Sequence, residues 1–198
     1  MQPAVPIVGL TGGMGAGKST ALEALARLGA AVLSTDAVVH ELLASAQVRD
    51  AVVDRFGEEV APGGVVDRAA VAAKTFADDA DRAWLEGLLW PLVGKRAGAW
   101  IREVRGRTPP PRAAVIEVPL LFESGLTDGY DATIAIVSDE HVRSKRAAGR
   151  GHVLPDERSS RQFSQEEKAR RATFVVRNDG TREDLERELS SVLDKLAP

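Results

Sequence analysis

The chain has 198 residues, a length that suits one α/β domain with an insertion. Its formal net charge of −3 excludes a strongly basic nucleic-acid binder, so any anionic ligand must be met by local basic groups. The absence of cysteine excludes disulfides, thiolate zinc sites and cysteine nucleophiles. No apolar run approaches the roughly 20 residues of a membrane span, and the opening run at residues 5–10 is too short for a signal peptide. We therefore expect a cytoplasmic protein with no membrane or nucleic-acid partner, as a monomer or small homo-oligomer.

The first 34 residues carry the pattern of a strand–helix–strand unit. Residues 5–10 are a short apolar run that ends near a glycine pair, which is typical of a buried strand. A helix is predicted over residues 19–28, where leucines recur on one face, and Gly29 ends it. Residues 30–34 form a second short strand. Such a unit usually starts a parallel sheet.

Residues 37–104 have a different, mostly helical pattern. Asp67 is a plausible N-cap for a helix that runs to Phe76. A longer helical pattern runs through Pro91, which is expected to kink or start a helix. Because no convincing strand pattern interrupts this block, we expect it to be inserted between strands of the sheet.

Three further buried strands are predicted in the second half of the chain. Ser138 is expected to cap the helix that follows the second of them. A final helix is predicted over residues 182–195, and Thr181 and Asp184 before it have a loose capping-box spacing. The three strand segments are residues 113–118, 132–137 and 173–177.

The strongest motif lies between the first predicted strand and the first predicted helix. Residues 12–19 read G-G-M-G-A-G-K-S and match G-x-x-x-x-G-K-[ST], the loop that cradles nucleotide phosphates. Glycines let backbone N–H groups approach phosphate oxygens, and the following helix directs its positive end at the same charge. A glycine-rich turn without a ligand is the simpler alternative, but the flanking strand and helix favour the phosphate site. The predicted nucleotide-binding residues of this phosphate loop are Gly12, Gly13, Met14, Gly15, Ala16, Gly17, Lys18, Ser19 and Thr20.

Several further segments stand out beside the phosphate loop at residues 10–20: Asp36, residues 88–93 (L-L-W-P-L-V), residues 118–123 (V-P-L-L-F-E), and residues 162–168 with Arg171 and Asn178. Together these segments resemble the dephospho-CoA kinase family, over about residues 5–180. The family usually has histidine where this chain has Trp90, so a histidine contact with the acceptor is not carried over. It usually has aspartate at the position of Ser34, and Arg-Asp where this chain has Arg150-Gly151.

The resemblance implies an α/β fold of the P-loop NTPase type, with three layers and a five-stranded parallel sheet. It further implies a kinase core of residues 1–36, 105–138 and 172–198, a helical acceptor-binding insertion at residues 37–104, and a basic lid at residues 139–171. The implied reaction moves the γ-phosphoryl group of ATP to the ribose 3′-hydroxyl of dephospho-CoA, with Mg²⁺ as the second cofactor.

Five residues are candidates for the chemistry. Lys18 can reach the β- and γ-phosphates, and the Ser19 hydroxyl can bind Mg²⁺. Asp36 follows a strand end, where ligands of parallel sheets bind, and can accept the proton of the acceptor hydroxyl or support the metal. An N-cap role is its structural alternative. Arg146 and Arg150 belong to a stretch, residues 143–171, with nine basic and four acidic side chains. Such a stretch can neutralise a transferring phosphoryl group or form a solvated helix face.

Two further pairs of residues are open between site and structural roles. Asn178 and Gly180 can border the adenine or form a turn. Glu117 ends an apolar strand and is either a metal-supporting acid or a structural one, while Glu123 is expected to be structural or acceptor-side.

Other P-loop functions fit the sequence less well. A GTPase needs an N-K-x-D segment to read the base, and the chain has none. A motor-type ATPase needs a strand that ends in paired acids, but Glu117 is followed by valine. The remaining alternative is another small-molecule or nucleoside monophosphate kinase, which shares the core and differs in residues 37–104.

Overall fold

A single parallel sheet organises the part of the chain that the computed structural model describes, residues 5–143 and 162–196. The five strands found there have the order β2-β3-β1-β4-β5. The fold class predicted from the sequence, α/β with a five-stranded parallel sheet, is confirmed. The strands are β1 (Ile7–Gly12), β2 (Ala31–Ser34), β3 (Ala114–Glu117), β4 (Ala132–Val137) and β5 (Phe174–Arg177).

The central strands are buried along their whole length. Every residue of β1, β3 and β4 is buried, whereas β5 lies at the edge and alternates between covered and exposed positions. A parallel sheet covered on both faces requires such continuous apolar runs. This explains why these strands could be recognised as short, non-alternating apolar segments.

The chain divides into two compact units, Met1–Ser34 with Ile101–Pro198, and Thr35–Trp100. In the first unit, α1 (Lys18–Arg27) and α7 (Arg182–Leu196) pack with the sheet in one apolar core. The buried side chains of α7 are spaced as one helical stripe, namely Leu185, Leu189, Val192 and Leu193. A short helix, α6 (Gln165–Arg171), packs against β4 and β1.

The second unit is helical, as its sequence predicts. It contains α2 (Thr35–Ala44), α3 (Ala46–Phe56), α4 (Arg68–Ala77) and most of α5 (Asp79–Arg105), with short 3₁₀ turns at Glu58–Val60 and Pro62–Gly64. Its core holds Val52, Phe56 and Leu89 among others, and the Phe56 and Trp84 rings meet edge to face at 5.4 Å.

Two details of the second unit bear on the sequence predictions. The Asp67 carboxylate accepts hydrogen bonds from the N–H groups of Ala69 and Ala70, so its predicted capping role is confirmed. Of the two alternatives for Pro91, a kink or a helix start, the helix start is wrong, because α5 runs from Asp79 to Arg105 with Pro91 inside it. The packing of a long helix outweighs the one backbone hydrogen bond that proline removes. None of the helices in the described residues has both the length and the apolar character of a membrane span.

Candidate active site

The phosphate loop lies at the topological switch point of the sheet, where the order of strand connection reverses. It follows β1, which pairs with β3 on one side and with β4 on the other. At such a switch point the loops after neighbouring strands diverge and leave a crevice for a ligand. Space here is tight, because a Cβ added at Gly12 would lie 2.5 Å from the backbone oxygen of Ile136. Glycine is therefore required where the loop leaves the strand.

The helix that follows the loop begins without a side-chain cap. Gly17 is its N-cap residue in a left-handed conformation. The first turn contains no acidic residue, and Ser19 within it is exposed. An acid or a capping side chain would occupy the N–H groups that otherwise bind phosphate.

Side chains hold the carbonyl groups of the loop from several directions. The Lys18 ammonium donates to the backbone oxygens of Gly12 (3.0 Å) and Gly13 (3.2 Å). Asn178 Nδ2 donates to the oxygen of Ala16 at 2.8 Å. Arg143 Nε donates to the oxygen of Met14 at 3.0 Å. The carbonyl groups of four loop residues therefore accept hydrogen bonds from side chains: Gly12, Gly13, Met14 and Ala16.

Asn178 and Gly180 are placed in the turn after β5. Asn178 is buried and supports the phosphate loop through Ala16, a contact that the sequence does not predict. Gly180 is exposed, and a Cβ there would lie 2.7 Å from Asp184 Oδ2, the carboxylate that bonds Thr181 N at 3.0 Å. An adenine contact for either residue stays a prediction.

The end of β4 is clamped by two polar side chains. Gln165 Oε1 accepts from the N–H of Ser138 (2.9 Å), and Gln165 Nε2 donates to its carbonyl (2.8 Å). The Asp179 carboxylate accepts from the Ser138 hydroxyl and from the Asp139 N–H. The expectation that Ser138 caps the next helix is wrong, since the Asp139 side chain accepts the His141 N–H instead. The Ser138 hydroxyl is instead hydrogen-bonded to Asp179, just after β5.

A cleft of about 690 Å³ borders the loop at Gly13. Residues that follow β4 and the first part of α6 line it, together with Arg143 and part of β5. Arg143 also acts electrostatically on this side. The pKa of Glu166 is held below its ordinary value by the hydrogen bond from its own backbone N–H, then by the Ser164 hydroxyl, with a smaller effect of the Arg143 charge.

A buried ion pair lies behind the phosphate loop. Lys168 is fully buried, and its ammonium lies 2.7 Å from Glu123 Oε1 and 2.8 Å from the backbone oxygen of Pro119. It also donates to the hydroxyl of Thr11, in the strand that leads into the loop, at 3.3 Å. The sequence did not suggest Lys168 as a site residue, although both members of the pair lie in segments that carry the family resemblance.

Two predicted acids lie at the carboxyl ends of strands. Glu117 is buried as the last residue of β3, in register with Leu10 of β1 and Ser34 of β2. Asp36 lies in the first turn of α2, two residues after the end of β2, and is exposed. Both positions suit a role at the sheet edge where ligands bind.

The two remaining catalytic candidates, Arg146 and Arg150, lie outside the described residues. For metal binding, residues 5–143 and 162–196 contain no group of three or more His, Asp or Glu side chains that could hold an ion. Kinases commonly bind Mg²⁺ through one or two protein oxygens and the substrate phosphates, and the exposed Ser19 hydroxyl at the helix start fits that donor set.

The switch-point loop, the uncapped helix and the sheet order together define a P-loop nucleotide-binding protein. The family model described as dephospho-CoA kinase matches residues 6–184. The chain therefore belongs to the dephospho-CoA kinase family, and it is a kinase of the final step of CoA biosynthesis. The resemblance seen in the sequence is confirmed.

Curated and solved relatives agree with this assignment. The chain is 38% identical to the dephospho-CoA kinase of Deinococcus radiodurans, over 96% of this chain and 91% of that protein. It is 34% identical to the dephospho-CoA kinase of Geobacter sulfurreducens, over 97% and 99% of the two chains. The crystal structure of TT1252 from Thermus thermophilus is similar with a TM-score of 0.81, at 31% identity, over 98% of this chain and all of that one.

Proposed function

We propose that the chain transfers the γ-phosphoryl group of ATP to the ribose 3′-hydroxyl of dephospho-CoA, giving CoA and ADP in the cytoplasm. The observation that carries the nucleotide part is the phosphate loop, with its uncapped helix start at the switch point of the sheet. The acceptor is carried by membership of the family. Another small-molecule or nucleoside monophosphate kinase would have the same phosphate loop but would not belong to this family.

The phosphates are held by the backbone N–H groups of the loop and by Lys18. Its ammonium exchanges the oxygens of Gly12 and Gly13 for the β- and γ-phosphate oxygens, where its charge stabilises the transition state. The nucleotide then replaces one set of oxygen partners by another, so this lysine is never left without an acceptor. Asn178 keeps Ala16 in place through its hydrogen bond to the Ala16 oxygen.

On the acceptor side, Asp36 accepts the proton of the 3′-hydroxyl group while the oxygen of that hydroxyl forms a bond to the γ-phosphorus. The bond between that phosphorus and the bridging oxygen breaks, and ADP leaves with the electron pair. Because positioning dominates phosphoryl transfer, an ordinary carboxylate at a strand end is sufficient as a base. Arg146 and Arg150 neutralise charge on the transferring group in this proposal.

Magnesium fits the residues present. Ser19 would hold it through the hydroxyl of the first helical turn, and Asp36 would support it through water as the alternative to its role as base. When bound, Mg²⁺ would supply positive charge that neutralises the negative charge developing on the phosphate oxygens. No cysteine competes for the ion.

The domain roles are part of the same proposal. Residues 1–36, 105–138 and 172–198 form the catalytic core, residues 37–104 bind the acceptor, and residues 139–171 form a basic lid. The protein acts as a monomer or a small homo-oligomer.

A coupled ADP-release assay over a panel of acceptors tests the function. Dephospho-CoA is expected to stimulate ADP release strongly, while nucleoside monophosphates and shikimate leave it near the background of hydrolysis. Lys18→Ala serves as the matched control, because it removes the phosphate contact and should abolish most of the stimulation without unfolding the protein. Stimulation by a nucleoside monophosphate alone would favour the other kinase class, and full turnover by Lys18→Ala would refute the ATP site.

A further inference from the structure

Arg143 contacts the phosphate loop through several atoms. Its Nε donates to the Met14 oxygen at 3.0 Å. A Cβ added at Gly15 would lie 3.0 Å from the Arg143 backbone oxygen and 3.4 Å from its Cα, and one at Gly13 would lie 3.5 Å from Nη2. The arginine thus packs along the loop, and its guanidinium bonds a backbone carbonyl of the loop.

From this geometry we propose that Arg143 is a positioning residue of the phosphate loop. A trans peptide is planar, so the carbonyl of Met14 and the N–H of Gly15 point in opposite directions. The guanidinium holds the carbonyl on the outer side and thereby directs the Gly15 N–H toward the inside of the loop. That is the side on which a P-loop binds phosphate oxygens.

The charge of Arg143 strengthens the same peptide as a donor. A hydrogen bond from a cation to a carbonyl is stronger than a neutral one, and it polarises the peptide so that its N–H becomes a better donor. The loop has glycine at four of its nine positions, and glycine loses the most conformational freedom when a single conformation is selected. A contact that selects this conformation before the nucleotide arrives lowers the cost of binding.

Arg143 differs in this respect from Lys18. Lys18 is proposed to leave its carbonyl partners for phosphate when the nucleotide binds, whereas Arg143 and Asn178 retain Met14 and Ala16. The effect of Arg143 should therefore depend on the loop being filled by a β-phosphate, and it should be the same whether or not a γ-phosphate is present. A direct contact with the transferring phosphoryl group would instead distinguish ATP from ADP.

The test compares the affinities of ATP, ADP, AMP and dephospho-CoA by calorimetric titration for the wild type and three variants. Arg143→Met removes the contact, Arg143→Lys restores a charged donor without the planar group, and Arg170→Met is a matched control. Arg170 lies on α6 with its side chain 73% exposed, and its removal changes the net charge equally.

Arg143→Met is expected to weaken ATP and ADP binding by the same factor, about tenfold, which corresponds to about 1.4 kcal/mol. Arg143→Lys should recover part of this loss, and AMP and dephospho-CoA affinities should be unchanged. A loss confined to ATP would mean a direct γ-phosphate contact, and an equal loss for AMP would mean a base contact. An equal loss for dephospho-CoA would mean a general defect of the fold. Each of these, or no loss at all, would overturn the proposal.

The inference rests on the proposed nucleotide site, but the two can fail separately. Binding of ATP and ADP by the wild type tests the site itself. The ratio of the ATP and ADP affinities of Arg143→Met to those of the wild type tests the role of Arg143. If both proteins bind both nucleotides equally well, the kinase assignment stands and only the role of Arg143 is refuted.

Discussion

Replacing Lys168 by methionine tests whether the buried ion pair holds the loop after β3 and α6 to the sheet. The lysine is fully buried, and the side chain of Glu123 is only 9% exposed. Without the ammonium, Glu123 Oε1 retains the Phe163 N–H at 2.8 Å, while Oε2 has no partner among the described residues. The substitution therefore leaves a buried carboxylate with a single hydrogen bond.

Breaking one side of a buried pair costs about 3–5 kcal/mol, because the remaining charge is uncompensated. For a chain of this size each kcal/mol lowers the melting temperature by about 2–4 °C, so a decrease of about 6–20 °C is expected. The Lys168→Met, Glu123→Leu double variant should be more stable than the single one, since no charge then stays buried.

The assay is urea and thermal unfolding followed by far-ultraviolet circular dichroism. All three tryptophans lie in the unit Thr35–Trp100, so tryptophan fluorescence would report on the wrong part of the chain. Arg170→Met on the same helix is the matched control and should change stability by about 0.5 kcal/mol or less. A single variant as stable as this control, or a double variant as unstable as the sum of the two single ones, would refute the reasoning.

Three further variants have distinct expected results. Asp36→Asn should lower kcat by at least about 100-fold, as expected for loss of a general base, with little change in ATP affinity, and a loss confined to ATP binding would reassign Asp36. Trp90, a half-exposed large apolar side chain of α5, is expected to contact the acceptor, so Trp90→Ala should raise KM for dephospho-CoA about tenfold and leave KM for ATP unchanged. Hydrogen bonds from the Thr181 backbone and hydroxyl, and then from Arg187, hold the pKa of Asp184 below its ordinary 3.8. A carboxyl group with a lowered pKa stabilises the fold at pH values above its unfolded-state pKa. This stabilisation is lost as the pH falls through its folded-state pKa. The melting temperature of Asp184→Asn should therefore be lower than that of the wild type at pH 7. The difference should shrink as the pH falls below the unfolded-state pKa of 3.8 and vanish below the lowered folded-state pKa; a difference that stays constant over this range would contradict the electrostatic origin.

Local patterns were sufficient for most elements of the sheet. Buried parallel strands require short continuous apolar runs, and each run recognised in the sequence is a strand in the structure, with ends that differ by at most two residues. Pro91 was harder to interpret, because its local preference is to end a helix and only the packing of the whole of α5 overrides it.

The phosphate loop is the part of the site that the sequence determined by itself. Its eight-residue motif has only one common use, and every atom that the motif needs is in the loop backbone, Lys18 and Ser19. Likewise, the acceptor was predicted from the family resemblance of short sequence features, chiefly Asp36 and residues 118–123. These are local features, so no knowledge of distant contacts was required.

Only the tertiary structure decided which distant side chains support that loop. Arg143 and Asn178 lie 129 and 162 residues from the loop residues that they contact, and Lys168 lies 157 residues from Thr11. In the sequence, Arg143 is one basic residue among nine in a stretch that is equally compatible with a solvated helix face. Which of these charges is turned inward depends on how β4, β5 and α6 pack beside β1, and that packing is set by the whole core.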